Sequence, residues 1–157
     1  MVSGRKRSDS LRWILSQIRD GNGVKSPRNL VDIMRFALEE QTRREQRNSR
    51  KYIDGVSMIE AEAIKSALVR LSKRRIEDTL MAEYGSDVQR TIQVFHNGKS
   101  DHNESSICKL FGIEPSKARE ISKILMEIGF FEQDDDIYKI PALYRVGMNI
   151  SKGKACQ

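Results

Sequence analysis

Two histidines, His96 and His102, stand six residues apart around Asn97-Gly98, and they are the only imidazoles in the 157-residue chain. Two imidazoles can share a metal ion, but only where the fold converges both nitrogens on it. Spacing across an Asn-Gly turn fits two solvent-facing turn side chains better, and a histidine-based triad fails on the same ground. Asp134, Asp135 and Asp136 bring three carboxylates together without the alternating ligands, central glycine and terminal glutamate of a calcium loop, so they read as a solvated turn. Gly21-Asn22-Gly23 lacks the glycine and lysine that follow in a phosphate-cradling loop, and neither nucleotide-binding glycine motif occurs. Cys108 lies in an apolar stripe and Cys156 near the end of the sequence, unpatterned for a disulfide framework or a zinc site. No nucleophile, base and metal combination has workable spacing. The expectation is a non-enzyme with no cofactor and no metal.

What remains is charge that could meet nucleic acid. A helix opening at Pro115 turns Ala118, Ile121 and Leu125 inward, which leaves Ser116, Lys117, Glu120 and Lys123 outward with Arg119 at the flank. Lys117, Arg119 and Lys123 are of the type that touches phosphates or guanine edges. The same residues, mixed with Glu120 and Glu127, also describe an ordinary solvated helix face. Lys73, Arg74 and Arg75 form a second basic cluster with the same ambiguity. Arg5, Lys6 and Arg7 read either as a nucleic-acid arm or as a disordered end.

The elements that would position these side chains follow from periodicity. Ile107, Leu110 and Phe111 make a short helical stripe ended by Gly112, and the Pro115 helix repeats Ala118, Ile121, Leu125 and Ile128 up to Gly129. Phe130 to Gln133 and Ile137 to Ile140 are short β-prone runs across the aspartate turn, a hairpin signal. Ser86 and Gln89 suggest a capping box for a helix lined by Val88, Ile92 and Phe95. Helix, turn, helix and hairpin in this order outline a winged helix-turn-helix, whose core would be built by Ala118, Ile121, Leu125, Phe130 and Tyr138.

Upstream, Leu11, Leu15 and Ile18, with Trp13 and Ile14, suggest a short amphipathic helix stopped at Gly21 and Gly23. Ser26 and Pro27 start a long one whose inner side is marked by Leu30, Met34, Ala37, Leu38 and Gln41. Glu39 to Lys51 is almost wholly polar, either a solvated extension or a link. Ser57 and Glu60 suggest another capping box, before a helix striped by Ile64, Ala67, Leu68 and Leu71. Ile76, Leu80, Met81 and Tyr84 resume helical spacing as a bend or a second helix in line. The expected fold is therefore mostly α, with a helical segment over 1–85 followed by a winged helix-turn-helix over 86–157 carrying a two-stranded wing.

The net charge of +6 is unevenly placed. Residues 1–51 carry thirteen Lys or Arg against six Asp or Glu, 52–100 seven against seven, and 101–157 eight against nine. A duplex-binding surface draws most of its affinity from neutralised phosphates, so the slightly acidic final third withholds that support. A hydrophobic share of 38% suffices for a core, no apolar run reaches membrane-span length, and the start lacks an apolar signal region. The location implied is cytoplasmic.

Several short stretches, taken in order, resemble the C-terminal region of bacterial P-loop ATPases related to AAA+ and origin-recognition-type initiators. Asp20-Gly21 followed by Ser26-Pro27-Arg28-Asn29-Leu30-Val31 is similar to the entry of the helical lid. Lys65 to Tyr84 resembles the next helical stretch, and Ile140-Pro141-Ala142-Leu143-Tyr144-Arg145-Val146-Gly147-Met148 the closing segment. The resemblance implies a lid arginine near the bound nucleotide, which Arg28 would supply, and an ATPase core domain as partner in the same or another chain. The nucleotide-binding core is absent here, so the implied role is a non-catalytic module that docks a partner domain or binds DNA. Two rivals are a stand-alone DNA-binding regulator paired through the polar helix after Glu39, and a protein-interaction adaptor, which suits the acidic turn best.

Overall fold

The computed structural model describes residues 4–51, 55–81 and 85–155; the expectations that touch Tyr84 and Cys156 lie outside them. The described residues form seven α-helices and four strands: α1 Gly4–Gln17, α2 Pro27–Arg47, α3 Ala61–Arg75, α4 Gly85–Gln93, β1 Lys99–His102, α5 Glu104–Phe111, α6 Pro115–Glu127, β2 Glu132–Asp134, β3 Ile137–Lys139, α7 Ala142–Arg145 and β4 Ser151–Lys154. A π-helical segment, Ile76–Met81, continues α3.

The strands form one mixed sheet in the order β2-β3-β1-β4, with β1 antiparallel to β3 and parallel to β4. This overturns the mostly-α expectation with its two-stranded wing: the hairpin is half of a four-stranded sheet, and the fold mixes α and β. The two missed strands read Lys-Ser-Asp-His and Ser-Lys-Gly-Lys, with no apolar alternation to announce them. They are strands because their backbone pairs with that of neighbouring segments. Ile140 N–H donates to the Ser100 carbonyl (2.9 Å), Ser151 N–H to Gly98 (3.0 Å) and Ala155 N–H to Asp101 (2.8 Å), and a buried peptide group without a partner would cost about 1–3 kcal/mol.

Helix boundaries follow local chemistry where it is strong. Gly112 takes the left-handed conformation (φ 64°) at the end of α5, a geometry that costs a residue with a Cβ. At the start of α5 Asn103 and Ser106 cap each other reciprocally, the Asn103 side chain accepting from Ser106 N–H at 2.8 Å and the Ser106 hydroxyl from Asn103 N–H at 2.9 Å. The capping boxes expected elsewhere are not made. Ser86 lies inside α4, which begins at Gly85, and Ser57 lies ahead of α3, which begins at Ala61. Ser26 precedes α2 without a side-chain cap bond.

One apolar core joins residues from Ile14 to Ile150. α2 packs along α3, α3 and α1 meet α7, and α5 packs on α6. Three joints tie the first helices to the later elements. Gly21 N–H donates to the Gly129 carbonyl at 2.7 Å, Arg19 grips both oxygens of Glu132 at 2.9 and 2.8 Å, and the buried Ser72 hydroxyl reaches the Tyr144 carbonyl at 3.2 Å while accepting from Gly147 N–H at 2.8 Å.

Two helices bury part of the side that periodicity suggested and expose the rest. Ile14 in α1 and Ile18 just after it are buried and Leu15 packs partly against the core, while Leu11 and Trp13 are exposed. In α2 the inner face is Asn29, Asp32, Ile33, Phe36, Ala37 and Gln41; of the expected inner residues Ala37 and Gln41 are buried and Leu30 packs partly against the core, while Met34 and Leu38 point out. Three polar side chains sit on that inner face because each has work there. Asn29 donates to the Ile18 carbonyl (3.2 Å), Asp32 pairs with Arg35 and Arg74, and Gln41 accepts from Glu60 N–H (2.9 Å) at the threshold of α3. Between them Phe36 is buried under the guanidinium of Arg70, 4.1 Å from the ring centre, a cation–π contact that also covers the ring.

Candidate functional site

α6 presents the residues singled out for DNA. Ala118, Ser122 and Leu125 are its buried side, and the Ser122 hydroxyl turns back to the Ala118 carbonyl at 2.8 Å. Ser116, Lys117, Arg119, Glu120 and Lys123 are all exposed on the other side. Their charges are largely spoken for. Arg119 pairs with Glu104 at 3.1 Å and also reaches the Pro115 carbonyl, and Lys123 lies 4.0 Å from Glu127. Between α4 and α6 runs a shallow groove of about 240 Å³ floored by Val88, Ile121, Ile124 and Leu125 and edged by Asp87 and Glu120. The hairpin turn adds exposed Asp135 and Asp136, while Asp134 accepts from Lys139 and holds that ammonium's pKa above the usual lysine value. A phosphate backbone approaching here meets Lys117, which has no carboxylate within ion-pair distance among the described residues, but also two paired cations and the exposed carboxylates of Glu120, Asp135 and Asp136, a mixed field that attracts phosphate weakly.

The histidine expectation is half corrected. His96 is exposed, but His102 is only 5% exposed and belongs to the core. Its Nε2 lies 2.9 Å from the Lys99 carbonyl, so in the neutral ring that nitrogen carries the proton, and Phe95 meets it edge-on at 5.0 Å. Burial lowers its pKa from the ordinary value, against smaller raising effects of the Lys99 carbonyl and Asp101. Among the described residues no group of three or more His, Cys, Asp or Glu is placed to hold a metal ion.

The lowered pKa has a testable consequence. The unfolded chain binds the His102 proton more readily than the folded one, so stability is complete above the unfolded value of about 6.5 and declines as pH falls below it, by at most about 1.4 kcal/mol per unit. Urea midpoints measured between pH 7.5 and 5 should fall in the native protein and stay flatter in His102→Gln. Parallel profiles would assign the decline to other groups.

Arg28 occupies the first turn of α2, exposed, and among the described residues no carboxylate lies within ion-pair distance of it. Val31, Met34 and Leu38 continue from it along the outer side of the helix at 66%, 47% and 60% exposure. Spacings of three, four and seven residues put these four on one stripe. α2 therefore carries two apolar faces, one in the core and one in solvent. The outer stripe is the site that periodicity missed. Its signal was present as two interleaved sets, Ile33, Phe36 and Ala37 against Val31, Met34 and Leu38, roughly half a turn apart. Polar Asn29, Asp32 and Gln41 disguised which set faces inward.

No family model, curated protein or solved structure matches the chain. Among the described residues no helix is long and apolar enough to cross a membrane.

Proposed function

We propose that the chain is a non-catalytic docking module whose α2 outer face seats against a nucleotide-binding core domain, in the same or another chain, and brings Arg28 to the phosphates of the nucleotide held there. The observation that carries this reading is the outward stripe of Val31, Met34 and Leu38 running on from Arg28. Three large apolar side chains, each half to two-thirds exposed, gain about 1–2 kcal/mol apiece when that remainder is buried, and a cation at the end of the stripe adds the chemistry for phosphate. The likeness of residues 20–31, 65–84 and 140–148 to the C-terminal region of P-loop ATPases supplies the class of partner. A cytoplasmic location goes with such a partner.

The DNA reading is weaker because Arg119 and Lys123 already face carboxylates. Changing Lys117, Arg119 and Lys123 together to alanine should leave duplex affinity within about twofold at each of two salt concentrations. A tenfold loss with a flatter salt dependence would move the function to α6.

The docking reading is tested by sedimentation of the chain with the P-loop core domain encoded beside it or fused to it. Val31→Ser, Met34→Ser and Leu38→Ser combined should abolish the complex while preserving the thermal midpoint of the chain alone. Arg28→Ala should preserve the complex and lower ATP turnover on the order of a hundredfold or more, the scale of an arginine that stabilises phosphoryl transfer. A complex indifferent to the three serine changes, or turnover indifferent to Arg28, overturns the proposal.

A further inference from the structure

A second surface, built from residues of neither α6 nor α2, gathers positive charge in a concave place. A groove of about 320 Å³ opens between the end of α1, the sheet and α7, lined by Gln17, Arg19, Lys139, Arg145 and Lys152 together with Asp101 and Glu132. Sheet register assembles its floor. Lys139 on β3 is opposite both Glu132 on β2 and Asp101 on β1, so these three side chains share one side of the sheet. Buried Ile140 and Pro141 carry the chain out of β3 into α7, and Arg145 closes that short helix. Lys152 enters from β4.

The cations are not equivalent. Arg19 commits one terminal nitrogen, Nη2, to both oxygens of Glu132, which holds its guanidinium at the groove and leaves the other nitrogens uncommitted among the described residues. Lys139 is engaged by Asp134. Arg145 and Lys152 have no carboxylate within ion-pair distance among the described residues. The Ser100 hydroxyl donates to one oxygen of Asp101 at 2.6 Å, which orients that carboxylate. With Asp134 counted, four cations stand against three carboxylates, and the excess of one falls on Arg145 and Lys152, the pair without a carboxylate partner among the described residues. Gln17 adds a neutral amide, which donates one N–H to Ser16 at 3.1 Å and retains another.

We propose that this groove binds a phosphate group, with Arg145 and Lys152 as its primary ligands and Arg19, braced by Glu132, as the third donor. Guanidinium groups suit such a ligand because their planar N–H pairs match two phosphate oxygens at once. The volume is at the lower end for small-molecule sites, roughly 300 Å³ and above, so it accommodates a phosphate with an attached sugar-sized group. The phosphate can come from a free nucleotide or phosphorylated metabolite, or from a nucleic-acid backbone laid along the sheet.

Amide chemical shifts followed by NMR on the full chain, titrated separately with pyrophosphate, a nucleoside monophosphate and a single-stranded oligonucleotide, test the site and its source. Pyrophosphate should move the amides of residues 16–19, 139–140, 142–145 and 151–153 saturably. Arg145→Gln with Lys152→Gln should weaken it at least tenfold, while Lys117→Gln with Lys123→Gln changes it less than twofold. Tighter binding of the monophosphate than of the oligonucleotide assigns a free phosphorylated ligand, and the reverse, with steep salt dependence, assigns a nucleic-acid backbone. Retention of the native shift dispersion in both double variants separates lost binding from lost folding. Shifts scattered over all lysines, equal effects of the two double variants, or no saturable shift with any of the three probes would overturn the proposal.

Discussion

Phe95→Ala lowers unfolding free energy by about 4 kcal/mol, within the range of roughly 3–5 found for truncating a buried aromatic. Phe95 lies just beyond α4, 1% exposed, at the centre of a ring cluster. It meets His102 at 5.0 Å, Phe131 at 5.4 Å and Phe111 at 5.6 Å, all edge-on, and Phe130 at 5.6 Å in a tilted contact. Those partners come from β1, α5 and the link between α6 and β2. One truncation therefore opens a cavity shared by three segments, with little prospect of any single one collapsing to fill it. For a chain of this length the thermal midpoint should fall by roughly 8–16 °C. Leu110→Ala, on the same stripe as Ile107 but 40% exposed, should change stability by less than about 0.5 kcal/mol. Urea titration of both variants checks the pair; a Phe95→Ala loss below about 1.5 kcal/mol would mean that the ring cluster does not organise this half of the core.

Gly21→Ala costs about 3 kcal/mol, at the upper end for forced overpacking. A Cβ at this position would stand 2.1 Å from the Phe131 carbonyl oxygen, 2.5 Å from its carbon and 2.8 Å from the Gly129 oxygen. All three are backbone atoms, so no side chain can swing aside. The turn must retreat, and with it goes the 2.7 Å hydrogen bond from Gly21 to Gly129. Gly23→Ala separates crowding from conformational preference. Gly23 has φ +75° but nothing near its Cβ position, so its cost should be about 1 kcal/mol from backbone strain alone. Equal losses at the two positions would show that steric contact with the Phe131 backbone is unimportant. Hydrogen exchange adds a second readout, since Gly21→Ala should raise exchange at Gly129 to Phe131 along with Gly21.

The two effects show why the first helices cannot be treated as a passive leader. The Gly21 turn, the Arg19–Glu132 pair and the Asn29–Ile18 bond hold α1 and the start of α2 against the later elements. With its inner face committed in this way, α2 turns Val31, Met34 and Leu38 outward. The docking reading depends on that orientation.

Local chemistry was legible wherever a residue type has few alternatives. Pro27 and Pro115 open helices because a missing N–H costs nothing in a first turn, Gly112 closes α5 in a left-handed geometry, and Ile92, Ile107, Ala118 and Leu125 are buried as their spacing required. The two β-prone runs around the aspartates do pair as β2 and β3. Tertiary contact alone decided the rest. Polar β1 and β4 became strands by completing hydrogen bonds for neighbouring backbone, and His102 went inside because Phe95 and the Lys99 carbonyl receive it. α2 chose between two comparable apolar faces by where Asn29, Asp32 and Gln41 found partners. Periodicity within a helix records that apolar residues share a side. Only the unsatisfied groups of the remaining chain determine which side is covered.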